Sequence, residues 1–473
     1  MPLINFAGLA SGIDSEALID AIKESRRSLR VTPKEEEIAE IEAESSAIDE
    51  LNTLMNELKT ILLDFSDLAG GGVAKTVASS DETVISAIAS NSADNGVYTL
   101  SSIDQLAENH TLSFNMLGGP ITDTSANVIT TAAQEGRMQI TIGTGPEQTI
   151  NIDVNDSMSW NELVAEINTS TDLATAQMVN VAAPSASPDY RLVITTSNVG
   201  TEKGLLSIDT TQQYNGSGGT DLSTYLTPDT INEDPALDAQ FTMAGISGTI
   251  TRSSNTINDI IPGVTLSLTD TSASAVTLQV TTDTAATESA VNTFIEKYNE
   301  IVTFIKENNE ITQEQDGADI QNIFGPLAST RVDDGALSAL RSALVGARYH
   351  VFDGAGTEAI NTIQIFADLG ITTERDGTLK FDSDKFQSAL AEEPDSVNQI
   401  LQNFANATAK SQKVIEQYTG FNLLFDTVED GNTRRIEDLN DEIARAEESI
   451  TNEENQIRAR FARLESLISG LQN

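Results

Sequence analysis

The chain has 473 residues, 39% of them hydrophobic, which is too long for one compact domain and enough to fill several cores. Its 27 Lys+Arg stand against 72 Asp+Glu, a net charge of -45 that repels phosphate backbones and argues against nucleic acid as a partner. The absence of cysteine excludes disulfides, thiolate metal sites and cysteine nucleophiles, and no apolar run approaches the about 20 residues that a membrane span requires.

The chain opens with "INFAGLASGID", apolar and interrupted by Gly8 and Gly12, with Lys23 as the first basic residue. The stretch is too short and too broken for a cleavable secretory signal or an anchor. It is expected instead to be a docking tip that presents Ile4, Phe6, Leu9 and Ile13. Asp14 reads as a helix N-cap, followed by Leu18, Ile19, Ile22 and Leu29 on one predicted face, with the helix ending at Val31. "TPKE" restarts a helix, with Thr32 as the expected cap, Pro33 in the first turn and Glu35 completing a capping box. Ile41, Ile48, Met55 and Leu62 then recur every seven residues, and Glu44, Leu51, Leu58 and Phe65 follow each at +3. This is an a/d pattern, which stops at "LAGGG".

Inward of these helices the period changes to two. "GVYTLSSI" (96–103) is a candidate strand expected to join a β region spanning 237–283, where Val264, Leu266 and Leu268 face Val276, Leu278 and Val280 across a polar loop. "MQITIGTGPEQTINIDV" alternates as a hairpin, and Ser159 with Glu162 forms a capping box ahead of Trp160, Leu163, Val164 and Ile167. The strand "YRLVITT" and a loop over about 209–235 complete that unit. Helix returns at about 285, where Val291, Phe294, Tyr298, Ile301 and Ile305 step 3-4. Beyond it come a helix at Leu337, Leu340 and Leu344, a hairpin at "GITTERDGTLKFD", and helices bearing Phe386, Leu390, Val397, Leu401 and Phe404.

The C-terminal segment carries the longest stripe: Ile436, Leu439, Ile443, Ala446, Ile450, Ile457, Leu464, Leu467 and Leu471, with Phe461 nearby and only Glu453 and Arg460 interrupting. Stripes that continue toward both ends of the sequence are expected to pack beside each other and on further copies of the chain. The expected assembly interface is therefore Ile4, Phe6, Leu9, Ile13, Leu18 and Ile22 together with Ile436, Leu439, Ile443, Ile450, Ile457, Phe461, Leu464, Leu467 and Leu471. The stalk core is assigned to Ile41, Ile48, Leu51, Met55, Leu58, Leu62 and Phe65 with Val291, Phe294, Tyr298, Ile301 and Ile305.

The fold class that results is α+β and multidomain, with terminal helices forming a coiled-coil or helical-bundle leg and nested, discontinuous β-rich heads. The expected domains are terminal legs at 1–40 and 411–473, a stalk at 41–74 and 285–410, a β-rich head at 75–130 and 237–284, and an inserted outer head at 131–236.

Signals for chemistry are sparse. His110 and His350 have no motif around them and read as ordinary surface or partly buried histidines. "GTG" at 143–145 lacks the lysine and the helix N-terminus of a phosphate loop. "DFSDL", "FDSDKF" and "EEPD" miss the EF-hand spacing, and Asp382 and Ser383 read better as helix caps. No catalytic residue, cofactor or metal site is assigned.

"INFAGLASGIDSEALIDAI" followed by the proline restart resembles the N-terminus of the bacterial flagellar filament-capping family, also called flagellar hook-associated protein 2, the FliD family. "GVYTLSSIDQLAENHTL", "SNTINDIIPGVTLSL", "FIEKYNEIVTFI", "ADLGITTERDGTLKFDSDKFQSALAEEPDSV" and "IRARFARLESLISGLQN" are similar to that family in the same order. The resemblance implies a structural role without enzymatic activity. It implies a homo-oligomeric ring at the distal filament tip, five copies being one candidate, which retains flagellin and guides its insertion. It also implies flagellin, hook-filament junction proteins and an export chaperone as partners, and extracellular location reached without a cleaved signal. Two other readings stand beside it. Another axial protein, a flagellin or junction protein, would share the terminal helices but not "ADLGITTERDGTLKFD" with the Tyr-Asn helix. A secreted adhesin would call for exposed head aromatics, in a chain that has one Trp and 5% aromatic residues.

Overall fold

The structure is a computed structural model and describes residues 14–132, 134–144, 148–212, 221–316, 319–352, 358–359 and 362–472. The chain forms two compact units, one built from the segments up to Ala74 and from Asp283 onward, the other from Lys75–Thr282.

In the first unit, the helix Ser15–Arg30 starts where the Asp14 carboxylate accepts the Ala17 N–H at 3.1 Å. It ends at Val31, whose N–H bonds the Arg27 carbonyl at 2.8 Å and whose side chain is fully buried. The second helix, Thr32–Leu63, follows without a break in helical geometry at Val31. The expected cap at Thr32 is therefore corrected. Val31 occupies the cap position, and its carbonyl already takes the N–H groups of Lys34 and Glu35, so Thr32 has no orphan donor to satisfy. Glu35 turns instead to Arg27, at 2.6 Å.

Along the second helix Ile48, Leu51, Met55, Leu58 and Leu62, and then Phe65 just beyond it, are buried, and so are Ala47 and Leu54 beside them. The buried stripe is wider than an a/d seam and faces a globular bundle. Ile41 is only half-buried. Glu44, the polar member of the pattern, accepts the Ser329 hydroxyl at 2.7 Å. The helix Thr284–Asn308 lies against it, and Val291, Phe294, Tyr298, Ile301 and Ile305 are all buried. Phe294 is the aromatic hub of this core: its ring centroid is 5.4 Å from Phe404 and 6.3 Å from Phe65, Tyr298 and Phe366.

The glycine run after the second helix is a docking point. Asn398, from the helix Pro394–Thr408, accepts the Gly72 N–H at 2.6 Å and the Val73 N–H at 3.3 Å. Gly71 has φ +109°, and a Cβ there would lie 2.2 Å from Asn398 Oδ1. The expected hairpin pairs Ile371–Thr373 with Leu379–Phe381, and Asp382 caps the next helix by accepting the Lys385 N–H at 3.1 Å.

The second unit has two cores. In the first, a five-stranded sheet runs in the order Lys75–Ser79, Val276–Thr282, Gly96–Gln105, Ala239–Met243, Ile250–Arg252. A three-stranded sheet runs Thr256–Ile261, Val264–Leu268, Ile85–Ala89. The Val264 and Val276 segments do not pair as a hairpin. Leu266 pairs with Ala87 and Leu278 with Tyr98, in different sheets, so their buried side chains share one core from two layers.

The other core lies among the four-stranded sheet Leu226–Pro228, Asn109–Met116, Tyr190–Val199, Ala174–Asn180, the three-stranded sheet Gln148–Asn155, Glu135–Ile142, Leu206–Asp209, and the helix Trp160–Ser170. The capping box at Ser159 and Glu162 is formed, and Met138 pairs with Ile152 as the alternation requires. The seam expected at 130 lies near 108. Leu112, Phe114, Ile121, Val128 and Ile129 all belong to this second core, because Asn109–Met116 pairs with Tyr190–Val199. Only a three-residue gap separates that strand from Gly96–Gln105, so local patterning shows no boundary there.

Candidate assembly surface on the terminal helices

The last helix, Leu424–Gln472, packs on the first two. Its cross-helix partners fix direction and register. Asn432 Nδ2 donates to Ser45 Oγ at 3.1 Å, and Arg435 pairs with Glu37 at 2.6 Å. Glu442 pairs with Lys34, Glu447 with Arg27 at 3.3 Å and Glu454 with Lys23 at 3.2 Å. Arg458 closes the ladder on Glu16 at 2.6 Å. The last helix ascends while its partners descend, so it runs antiparallel to both. The charge pattern is specific: in a chain of net charge -45, the first helix concentrates Lys23, Arg26, Arg27 and Arg30 against acidic positions of the last.

Glu453 interrupts the apolar stripe in sequence because it is an ion-pair position. It receives Arg30 at 2.9 Å and Arg26 at 3.6 Å. Hydrogen bonds from Arg458 and Lys23 hold Glu454 below the usual carboxylate value, and the Lys34 ammonium does the same for Glu442. Most of these groups stay in contact with solvent, which screens their attraction, so the ladder sets register more than stability.

The apolar residues divide into three sets. Ile19, Leu439 and Ile450 are buried between the helices, and Val31 is buried at the junction of the first two. Ile22, Ile436, Ile443, Ile457 and Phe461 are half-buried. Leu18, Leu464 and Leu467 are exposed, at 44%, 44% and 67%. The single face expected for Leu18, Ile19, Ile22 and Leu29 is thus corrected. Leu18 and Leu29 turn toward solvent, since at about 100° per residue Leu18 sits about 100° and Leu29 about 80° around the helix from the buried Ile19, on the same side. Ile4, Phe6, Leu9, Ile13 and the Leu471 side chain lie outside the described residues. The helices therefore bring Ile19 and Ile22 together with Ile450 and Ile457, and leave Leu464 and Leu467 open further along the last helix.

His110 is structural. It is buried, its Nδ1 accepts the Leu206 N–H at 3.1 Å, and its Nε2 lies 3.4 Å from Glu233. Among the described residues no group of His, Asp and Glu side chains is arranged to hold a metal ion, and no helix is long and apolar enough to cross a membrane. Val31 ends the first helix, as its sequence position predicted. The ion ladder and the Asn398 contact lie outside the sequence reading: the run of cations at 23–30 is the available signal for the ladder, and nothing local marks Asn398.

Residues 236–473 match the family model described as "Flagellar hook-associated protein 2 C-terminus", and residues 11–110 match its N-terminal counterpart. The chain is 24% identical over 435 residues to flagellar hook-associated protein 2 of Campylobacter jejuni, covering 84% of this chain and 64% of that protein, under two thirds of its length. It is 24% identical over 489 residues to the Escherichia coli K12 protein so named, covering 100% of this chain and 96% of the relative. A crystal structure of three domains of the flagellar cap protein FliD from Escherichia coli matches with a TM-score of 0.59 at 22% identity, over 82% of this chain and 99% of that one, a likeness of fold.

Proposed function

This chain belongs to the flagellar hook-associated protein 2 family, and on that premise we propose that it caps the distal end of a bacterial flagellar filament. A homo-oligomeric ring of the chain retains flagellin at the tip and guides each subunit as it folds and inserts, so filament growth and motility depend on it. In this reading 1–40 and 411–473 form the leg, 41–74 with 285–410 the stalk, and the β-rich segments the head. Hook-filament junction proteins and an export chaperone are the remaining partners. The protein reaches the filament tip through the flagellar export route.

The observation that carries the assembly role is the open end of the last helix. Leu464 and Leu467 continue the buried line of Leu439 and Ile450 but are exposed in the single chain. Exposed apolar positions in register with a buried stripe suit a contact made with another molecule. The contacts are few, which suits a cap that must break and remake them as each subunit inserts.

Deletion of the gene, scored by electron microscopy and by flagellin in the medium, tests the reading. Filament loss with leaked flagellin monomer supports it, and normal filaments reject it.

A further inference from the structure

We propose that the Glu429 carboxyl keeps its proton and donates it in a hydrogen bond to Asp49, and that this bond latches the start of the last helix onto the second helix. Among the described cross-helix pairs the others are opposite charges or an amide on a hydroxyl. Here two acids meet. Asn432 on Ser45 sets the register that brings Glu429 against Asp49, one turn away on each helix. Phe425, fully buried, and the half-buried Val428 anchor the same turn in the core of the unit. Glu429 Oε1 is buried and no N–H or hydroxyl donor reaches it, so the contact with Asp49 is acid on acid.

The charged neighbours all carry the same sign. Asp49 comes from the second helix, and Asp426 and Asp430 from the last helix itself. The short helix Val414–Thr419, which packs on both, carries Glu416, whose carboxylate is occupied by the Gln412 N–H at 2.7 Å. The nearest cation on the last helix, Arg434, goes to Asp430 at 4.0 Å. Two carboxylates at such a contact repel when both are ionised, and Glu429, the less exposed of the two, retains its proton and donates an O–H to Asp49. Burial pushes the Glu429 carboxyl up, and its hydrogen bond to Asp49 and the negative charges of Asp49, Asp426 and Asp430 push the same way, to about 7.

The sign follows from linkage. Between the ordinary value of 4.5 and about 7 the folded contact binds a proton that the opened state releases. The latch is therefore fully closed below 4.5, weakens as pH rises, and has lost its contribution above 7. Leg attachment through this turn becomes pH-dependent in a range where most carboxylates are already ionised.

Hydrogen exchange of residues 424–440 in the full chain at pH 5, 6 and 7, corrected for intrinsic rates, tests this. In the wild type the opening constant is expected to rise by up to about tenfold per pH unit. Glu429→Gln is expected to abolish that slope, while Glu437→Gln, at an exposed position of the same helix, keeps it. An unchanged slope in Glu429→Gln, or no slope in the wild type, overturns the proposal. If Glu429→Gln does not fold, carboxyl carbon NMR of the wild type and Asp49→Asn decides. A Glu429 midpoint near 7 that drops in Asp49→Asn supports the latch, and a wild-type midpoint near 4.5 overturns it.

Discussion

The side-chain amide of Asn299 bonds both backbone groups of Leu379: it accepts the Leu379 N–H at 2.6 Å and donates to the Leu379 carbonyl at 2.8 Å. One residue of the helix Thr284–Asn308 thus pins the hairpin strand Leu379–Phe381, eighty positions away, as a paired strand would. Asn299→Ala leaves both partners unmet and is expected to cost about 1–3 kcal/mol. Asn299→Asp keeps the acceptor but sets a carboxylate oxygen against the Leu379 carbonyl, so it should cost at least as much as Asn299→Ala. Urea midpoints of the three proteins check the order, and equal midpoints would show that the contact contributes nothing.

Phe294 touches four other rings, so its removal leaves a void that a helical bundle cannot close. Phe294→Ala should cost about 3–5 kcal/mol, with Phe294→Leu losing less. Chemical denaturation followed by far-UV circular dichroism measures both.

The ladder between the first and last helices predicts a charge-reversal result. Arg458→Glu faces Glu16 and Glu454 with a like charge and should raise exchange across Ser15–Arg30. Adding Glu16→Arg should restore much of the protection. A double-mutant cycle should return a coupling of about 0.2–1 kcal/mol, in the range of exposed pairs. Zero coupling would remove the pair from the account of register.

Salt and acid should act differently on the two levels of structure. Raising ionic strength screens the self-repulsion of a -45 chain and should raise the global midpoint, while protection of the first helix falls as its ion pairs are screened. Glu442 and Glu454 have folded values held below the ordinary 4.5, by Lys34 and by Arg458 with Lys23. Their contribution is present above 4.5 and is lost as pH falls through the depressed values. The last helix should therefore lose hold of the first helix through Glu454 and of the start of the second through Glu442 on acidification, whereas the Asp49–Glu429 contact tightens. Site-resolved exchange at pH 3 and pH 6 separates the two, and parallel behaviour of both sites would contradict the assignment.

Leu464→Asp with Leu467→Asp alters residues that are already exposed, so stability should change by less than about 0.5 kcal/mol per site. The same variant should fail to restore filaments to a strain lacking the gene, as should truncation of 461–473. Full restoration of motility by the double variant would place the docking surface elsewhere.

Much of the fold was legible because periodicity is local. The spacing of Ile48 through Phe65 and of Val291 through Ile305 assigned the core faces of two helices, and the chemistry of Asp14, Ser159 and Asp382 marked helix starts that the structure contains. Local signals failed where the deciding partner is distant. Thr32 looks like a cap until the Val31 carbonyl has taken the donors, and Asn109–Met116 looks continuous with Gly96–Gln105 until it pairs with Tyr190–Val199. On the terminal helices the structure brings Ile19 and Ile22 together with Ile450 and Ile457, but turns Leu18 and Leu29 to solvent, off the single face that the spacing suggested.

The sequence by itself determined the α+β class, the alternation of helical and β periods, the family, and the residues able to share a face, since each depends on spacing along one chain. Only tertiary structure decided what covers each face. It set the antiparallel register of the last helix, placed Arg30 beside Glu453, seated Asn398 at the glycine run, and brought Asp49 against Glu429. A side chain's period says which way it points, whereas its charge state and contribution to stability depend on which partner, hundreds of residues away, excludes water from it.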